Sequence, residues 1–425
     1  MTNFIASDSF VRIDLASNDR LYVPQDVLLA TVDHSVYAQT NATSTRIIVE
    51  GSVISLSTIA VYLNKSAGNV GSNLLTIGQT GNVRSLEDSA IYLQGTSNIL
   101  QNWGEVSGRF SGAYLSGGDY NQIENHGNFA GLLSRGIYLD SSESVSIFNS
   151  GLITGSGGIE GWQSSCSITN SGTIQSTTSL QAIQMGAAVA GVSIWNSGTI
   201  SSSITAIRAS AHNDKVINSG EIIGDVQLNT GNDIYRASAS GVVFGDVFGD
   251  AGADKMWGAA ADDVFFGGDG MDNLRGRAGD DTLSGDNGND TIRGGNGEDE
   301  IKGGKGADTL YGGDQDDVLN GQAGNDWLNG GRGDDILTGA IGADTFAFNR
   351  NAGDDIITDF KNGVDKIDLS AFGLKPADYA TIVAPALTNA GGGATFLDLG
   401  VLGGQGSVLI EGLGFAQADA GDFIL

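Results

Sequence analysis

Apolar and polar positions recur along this chain with two periods, one long and one short. Through residues 22–228 an Asn-x-Gly triplet returns at Asn102-Trp103-Gly104, Asn125-His126-Gly127, Asn149-Ser150-Gly151, Asn170-Ser171-Gly172, Asn196-Ser197-Gly198 and Asn218-Ser219-Gly220. The steps are 23, 24, 21, 26 and 22 residues. An apolar residue stands two before each Asn (Leu100, Ile123, Ile147, Ile168, Ile194, Val216) and two after each Gly (Val106, Phe129, Ile153, Ile174, Ile200, Ile222). A third apolar series reads Ile91, Tyr114, Ile137, Ile159, Ile183 and Ile207, and looser copies pass through Gly51 and Gly81. Three series in step predict three short strands per turn, each with one inward stripe, like residues stacking from turn to turn. Abundant Ser, Thr, Gly and β-branched residues disfavour helix. The expectation for residues 1–240 is an N-terminal cap and about eight rungs of parallel β-helix, right-handed by the crossover rule.

The short period is nine. Gly stands at 249, 258, 267, 276, 285, 294, 303, 312, 321, 330 and 339. The sixth place of each unit is Asp254, Asp263, Asp272, Asp281, Asp290, Asp299, Asp308, Asp317, Asp326, Asp335 or Asp344. The eighth is Met256, Phe265, Leu274, Leu283, Ile292, Ile301, Leu310, Leu319, Leu328, Leu337 or Phe346. A Gly-rich stretch ending in Asp turns through backbone angles closed to other residues. It leaves carbonyls and a carboxylate pointing together, as a hard cation requires. The remaining three residues are a minimal strand with one inward apolar residue, so two units make one turn of a coil and stacking builds the core. Residues 249–347 hold 21 acidic and 7 basic side chains, a net charge of −14. Stacked carboxylates at strand spacing repel without counter-ions. The Asp column is therefore the candidate calcium site, with the carbonyls of Gly267, Gly276, Gly285, Gly294, Gly303, Gly312, Gly321 and Gly330 as further oxygen ligands. Ions between successive loops of the two columns number about nine at most, and folding of the segment is expected to depend on them.

The unit Gly303-Gly304-Lys305-Gly306-Ala307-Asp308-Thr309-Leu310-Tyr311 resembles the RTX, or hemolysin-type, calcium-binding nonapeptide G-G-x-G-x-D-x-U-x. The resemblance implies a calcium-bound parallel β-roll over residues 241–347. Two units depart from it, with Ala261 and Gln315 at the fourth place where the family has Gly. Weaker or missing calcium is expected beside both. Thr230-Gly231-Asn232-Asp233-Ile234-Tyr235 is an isolated upstream copy.

Residues 348–425 lose the period of nine. They resemble the closing segment that follows RTX repeats in secreted metalloproteases and other type I cargo, a small C-terminal β cap over the open end of the roll. The ending Gly421-Asp422-Phe423-Ile424-Leu425 resembles the uncleaved C-terminal signal of type I secretion. The N-terminal repeats resemble, loosely, those of autotransporter passengers and filamentous adhesins. The whole chain is thus expected to be all-β, with β-helix, β-roll and cap in that order.

Composition narrows the function. A formal net charge of −29 argues against nucleic acid, which requires a Lys/Arg surplus, and favours cations. No apolar run approaches the roughly 20 residues of a membrane span. Residues 1–12 lack the basic and apolar regions of a classical signal peptide. One cysteine, Cys166, excludes an intrachain disulfide framework. No zinc signature His-Glu-x-x-His occurs among the three histidines, and the Tyr-Gly-Phe-Asp-Pro-His signature of alginate epimerases is absent. Trp103 and His126 share a rung position one turn apart and are a candidate sugar-stacking pair. Lys65, Arg84, Arg109, Arg135 and Arg208 are scattered over different rungs, and no catalytic residue is assigned.

The leading expectation is a secreted, non-catalytic calcium-binding rod of the cell surface, a matrix or an adhesin. The type I secretion machinery and an extracellular polysaccharide or cell surface would be its partners. One alternative is an acidic-polysaccharide lyase or C5-epimerase working on the β-helix, which needs a base, an acid and a charge neutraliser on successive rungs. The other is a bacteriocin- or toxin-like type I cargo.

Overall fold

The computed structural model describes residues 3–5, 12–16, 18–32, 35–38, 44–64, 72–141, 144–162, 164–238 and 240–425. The chain divides into two compact units, residues 1–230 with 243–245, and residues 231–242 with 246–425. Both are built from short parallel strands, and together with the closing hairpin they make the chain all-β.

The first unit is a parallel β-helix with three strand columns. One column runs through Arg20–Val23, Arg46–Val49, Leu74–Ile77, Ile99–Asn102, Gln122–Asn125, Val145–Asn149, Cys166–Asn170, Ser193–Asn196 and Lys215–Asn218. The second runs from Leu28–Thr31 through Glu105–Gly108 and Leu152–Gly155 to Glu221–Gln227. The third runs from Ile13–Leu15 through Ile91–Gln94 and Arg135–Asp140 to Ile183–Ala187, then through the latter half of Thr199–Arg208 to the latter half of Glu221–Gln227. The first two apolar series face inward as the pattern requires: Leu100, Ile123, Ile147, Val106, Phe129 and Ile153 are fully buried. Each such side chain contributes on the order of 1.5–3 kcal/mol on burial.

The third series needs one correction. Ile91 stands in register with Ala113, while Tyr114 pairs with Tyr92. Ala113 is fully buried and Tyr114 is on the outer face. Successive residues of a strand point to opposite faces, so a shift of one residue reverses the side. Tyr114 thereby leaves the core and joins an outer column.

The Asn-x-Gly triplets form the corner after the first column. Side-chain amides donate down the stack, Asn102 to Asn125 at 2.8 Å, Asn125 to Asn149 at 2.7 Å, Asn149 to Asn170 at 2.7 Å, Asn170 to Asn196 at 2.8 Å and Asn196 to Asn218 at 2.9 Å. The same amides reach backbone carbonyls within the corner, as Asn149 does at Gly151 and Thr173. The Gly of each triplet lies against the previous turn: a Cβ on Gly151 would drive into the Gly127 carbonyl. The corner glycines continue upstream through Gly81 and Gly51, since Glu105 donates its N–H to Gly81 and Asn82 to Gly51.

The second unit is a β-roll with two strand columns, closed by a cap. All eleven eighth-place residues are fully buried in its core. In the cap, Ala394–Asp398 pairs antiparallel with Leu387–Gly391 and with Gln405–Ile410. Gln405–Ile410 in turn runs parallel to Asn351–Ile357, and Phe423–Ile424 runs parallel to Lys366–Asp368, so both roll columns are extended by cap strands.

Replacing Asn149 by Ala leaves the Asn170 side-chain oxygen buried without its donor, while the Asn125 amide keeps the Gly127 and Leu152 carbonyls. We expect a loss of about 1–3 kcal/mol for the one orphaned group. Thermal unfolding should place N149A well below the parent, with the calcium response of the second unit unchanged.

Candidate metal centre

In each nonapeptide the chain enters the loop at Gly, turns at the second and fourth places, and returns a carboxylate to the interior at the sixth. Except at Ala259, the non-glycine second places take left-handed angles, as at Asp250 (φ 68°), Arg277 (φ 87°), Asp286 (φ 70°), Gln322 (φ 70°) and Ala340 (φ 66°). The sixth-place residues are buried, none more than 4% exposed. One carboxylate oxygen, Oδ1, accepts the N–H of the Asp one turn earlier. Such bonds run Asp254 to Asp272, Asp290, Asp308, Asp326 and Asp344 in one column, and Asp263 to Asp281, Asp299, Asp317 and Asp335 in the other, at 2.7–2.9 Å.

The second oxygen is treated differently. Oδ2 of Asp254, Asp272, Asp281, Asp290, Asp299, Asp308, Asp317, Asp326 and Asp335 is buried and receives no hydrogen bond. It points at the first-place glycine of its own unit: a Cβ there would lie 2.5 Å from Oδ2 at Gly267 and at Gly303. Gly276, Gly285, Gly294, Gly312, Gly321 and Gly330 lie against their own Asp in the same way. The carbonyl of the next turn's first-place glycine reaches the same spot, as Gly285 O does at Gly267 and Gly321 O at Gly303. A carboxylate oxygen and a peptide oxygen thus converge in a space that no side chain fills.

A buried carboxylate lacking donors is costly. Burial, more than any neighbour, pushes these carboxyls up. Asp281 and Asp317 reach about 8, Asp254, Asp290 and Asp326 about 7, and Asp263, Asp272, Asp299 and Asp335 about 6. Asp308 and Asp344 move in the same direction. Backbone N–H donors oppose the shift, and nearby carboxylates, such as Asp299 and Asp263 beside Asp281, add to it. Among the described residues no three His, Cys, Asp or Glu side chains gather at one point. The oxygens present at each position are a carboxylate with peptide carbonyls beside it, a donor set that would suit calcium better than zinc.

The ladder is longer than the period of nine. Asp233 of the isolated upstream copy donates its N–H to Asp254 at 2.7 Å, and Tyr235 is fully buried at the eighth place. Beyond residue 348, Asp335 donates to Asp355 and Asp344 to Asp365, both at 3.0 Å. Gly353-Asp354-Asp355-Ile356-Ile357 and Gly363-Val364-Asp365-Lys366-Ile367 keep the fourth, sixth and eighth places. Ile357 and Ile367 are fully buried. Steps of 11 and 10 residues, with Arg350 and Phe360 where the first glycine belongs, conceal both units from a period-nine reading.

The two departures behave differently. Gln315 takes the left-handed angle of a fourth-place glycine (φ 84°), and Asp317 Oδ2 beside it stays without a donor. In the other unit neither Ala259 nor Ala261 has a positive φ, and the Ala259 N–H donates to Asp263 Oδ2 at 3.0 Å. That carboxylate is satisfied from within. Asp365 is closed likewise, its two oxygens taking the N–H groups of Asp344 and Lys361.

In the β-helix, the rings of Trp103 and His126 stack on each other, centroids 5.1 Å apart, with His126 Nδ1 2.6 Å from Ser150 Oγ. Cys166 is buried 3.8 Å from the Met185 sulfur, its thiol pushed up to about 12 by burial. Arg135 pairs with Glu160 at 2.5 Å. His34 and Lys65 lie outside the described residues.

Residues 246–274, 266–301, 293–326 and 311–346 match the family model of the RTX calcium-binding nonapeptide repeat in four copies. No curated protein matches the chain. Among solved structures, a repeat subunit of the mannuronan C5-epimerase of Azotobacter vinelandii is 35% identical, with 30% of this chain and 77% of that one covered and a TM-score of 0.26. The extracellular lipase LipA of Serratia marcescens is 21% identical, with 41% of this chain and 40% of that one covered and a TM-score of 0.18.

Two outcomes are expected. A carboxyl whose folded pKa is raised contributes stability that is complete at low pH and is lost as pH climbs through the folded value. In chelator, the strand signal of the second unit should therefore weaken as pH rises from about 4 to about 8. In calcium the trend should reverse, because the ion competes with protons for the same oxygens. A chelated protein most folded at pH 8 would contradict the burial assignment. Second, A259G/A261G should free Asp263 and add about one calcium per chain by native mass spectrometry. Q315G should add none.

Proposed function

We propose that this chain, whose residues 246–346 belong to the RTX calcium-binding nonapeptide repeat, is a secreted protein that completes its fold on meeting calcium outside the cell. The observation that carries the reading is the row of buried carboxylate oxygens without donors along the roll. The metal ligands on this reading are the sixth-place Asp residues from Asp254 to Asp344 and the carbonyls of the glycines from Gly267 to Gly330, with Asp263 the weakest contributor. Calcium supplies positive charge at the carboxylates; the chain holds each carboxylate through the N–H of the preceding turn. Secretion is supported by the resemblance of the C-terminal segment to type I cargo. Among the described residues no helix is long and apolar enough to cross a membrane.

On the same reading the β-helix is a non-catalytic surface, matrix or adhesin-like element. Its side chains are sparse in charge, with 19 acidic and 10 basic residues over 1–248. A polysaccharide lyase or epimerase remains the second reading. It is favoured by one observation, the grouping of Tyr138, Asp140, Glu160 and Arg135 on neighbouring strands of one face. Arg135 is already engaged by Glu160, and Arg208 stands two turns beyond Glu160 in the same column.

Circular dichroism of the full chain in calcium and in chelator tests the first claim. Loss of part of the strand signal in chelator, restored by calcium, is expected. A spectrum indifferent to calcium would falsify the reading. Proton NMR of polyuronates incubated with the calcium-loaded chain tests the second. Unchanged spectra are expected, and new unsaturated ends or a changed uronate ratio would establish the enzyme.

A further inference from the structure

The outer face of the third strand column carries a stack of five tyrosines. Tyr37, Tyr62, Tyr92, Tyr114 and Tyr138 occupy the same register position on successive turns. Their ring centroids are 5.2, 4.9, 4.9 and 5.1 Å apart, and the first three pairs lie within 16° of parallel. Arg12 covers the outer face of Tyr37 at 4.4 Å. Because ring lies on ring, the stack offers its surroundings edges and hydroxyls rather than faces. Two residues along each strand a second outward column reads Asn64, Gln94, Ser116, Asp140 and Trp162. The two columns are bridged: Tyr62 Oη donates to Gln94 at 3.2 Å and Tyr114 Oη to Asp140 at 2.9 Å. No hydrogen bond within the described residues reaches the hydroxyls of Tyr92 and Tyr138.

Beside the stack runs a groove of about 500 Å³. Its floor is the edges of Tyr92, Tyr114 and Tyr138, and its wall is Ile59 and Phe110 with Ser89, Ser111 and Ser134. Phe110 is 47% exposed on that wall. The charged groups lining and flanking it cancel or are negative. Among the described residues Arg109 pairs with Glu87 and Arg135 with Glu160, which leaves Asp88 on the groove lining.

We infer that this groove binds a neutral, extended glycan, laid along the axis of the β-helix at about one sugar per rung. Three observations converge on that occupant. The hydroxyl, amide and carboxylate groups repeat at strand spacing, which is about the length of one pyranose in a linear chain. The apolar wall and ring edges suit the C–H faces of sugars, while serine and tyrosine hydroxyls suit their O–H groups. The carboxylate of Asp88 on the lining disfavours a polyuronate, whose charges would meet it with both neighbouring guanidinium groups already engaged. The groove lies wholly within the first unit, so the assignment is independent of the calcium reading.

Affinity electrophoresis of the full chain in calcium tests it. Gels would carry a soluble neutral 1,4-linked glucan, a neutral 1,3-linked glucan or polygalacturonate. Retardation is expected with a neutral glucan and not with polygalacturonate. Removing hydroxyls while keeping the rings, Y92F and Y138F, should weaken retention about fivefold each. Filling the groove with S134W should abolish it, and W103A, on another corner, should leave it unchanged. Circular dichroism and calcium-dependent melting of each variant certify the fold. The inference fails if the folded parent is retarded by neither glucan, if polygalacturonate alone retards it, or if S134W binds as the parent does. Each of these outcomes leaves calcium-dependent folding intact and so separates the two readings.

Discussion

A column of identical polar side chains stacked at strand spacing inside a protein must satisfy itself or be satisfied from outside, and this chain contains one column of each kind. The asparagine amide carries both a donor and an acceptor, so Asn102 through Asn218 close on one another and on corner carbonyls with nothing added. An ionised carboxylate carries acceptors only. Nine of the eleven aspartates of the roll spend one oxygen on the N–H of the preceding turn, and their other finds no proton among the described residues. The same device, one side chain repeated per turn, thus yields a self-sufficient scaffold in one unit and a cation-dependent one in the other. Every difference in pH and metal response expected of the two units follows from that difference of one hydrogen-bond donor.

Repetition also explains how much was legible beforehand. The inward stripes, the corner asparagines and the nonapeptide aspartates are each printed many times, so their period reveals both strand and stack. What escaped was printed once or printed out of step. Tyr114 lies one residue from the core position that its spacing predicts, and a register shift of one reverses the face of the strand. Asp355 and Asp365 keep the places that matter, but insertions of two and one residues break the count. The groove beside the tyrosines is harder to read, because its wall belongs to corners whose lengths differ from turn to turn. Ile59, Ser89 and Ser111 each stand two residues before an inward strand residue, but at steps of 30 and 22 and with unlike side chains.

The two alanine-bearing and glutamine-bearing loops show why a motif position is a poorer guide than the backbone it stands for. The family pattern marks Ala261 and Gln315 as equal losses. What glycine supplies at the fourth place is a left-handed angle, and a glutamine adopts it at a cost of order 1 kcal/mol when its neighbours on both sides demand it. The alanine unit lacks such a demand at two places together, Ala259 and Ala261. Its loop relaxes, and the relaxed loop turns a peptide N–H onto the carboxylate. A single donor thereby meets the oxygen that, on the proposed function, calcium meets elsewhere in the column. The position lies at the first turn of its column, just as the self-satisfied Asp365 lies at the last turn of the other.

Such closed ends have a consequence for how calcium couples to folding. Each interior carboxylate is shared between two turns, one through its N–H bond and one through the loop it faces. Binding at one position therefore orders the loop that forms the next, and sites fill together rather than singly. At a calcium concentration a hundred times the dissociation constant, one independent site stabilises by about 2.7 kcal/mol, and several linked sites multiply that effect. A ladder of this kind behaves as a threshold. Below the concentration that fills it, the repulsion and burial of its carboxylates outweigh a core one side chain wide. Above it, the whole column condenses. On the proposed function, such a chain would cross a calcium-poor compartment unfolded and fold in a calcium-rich one.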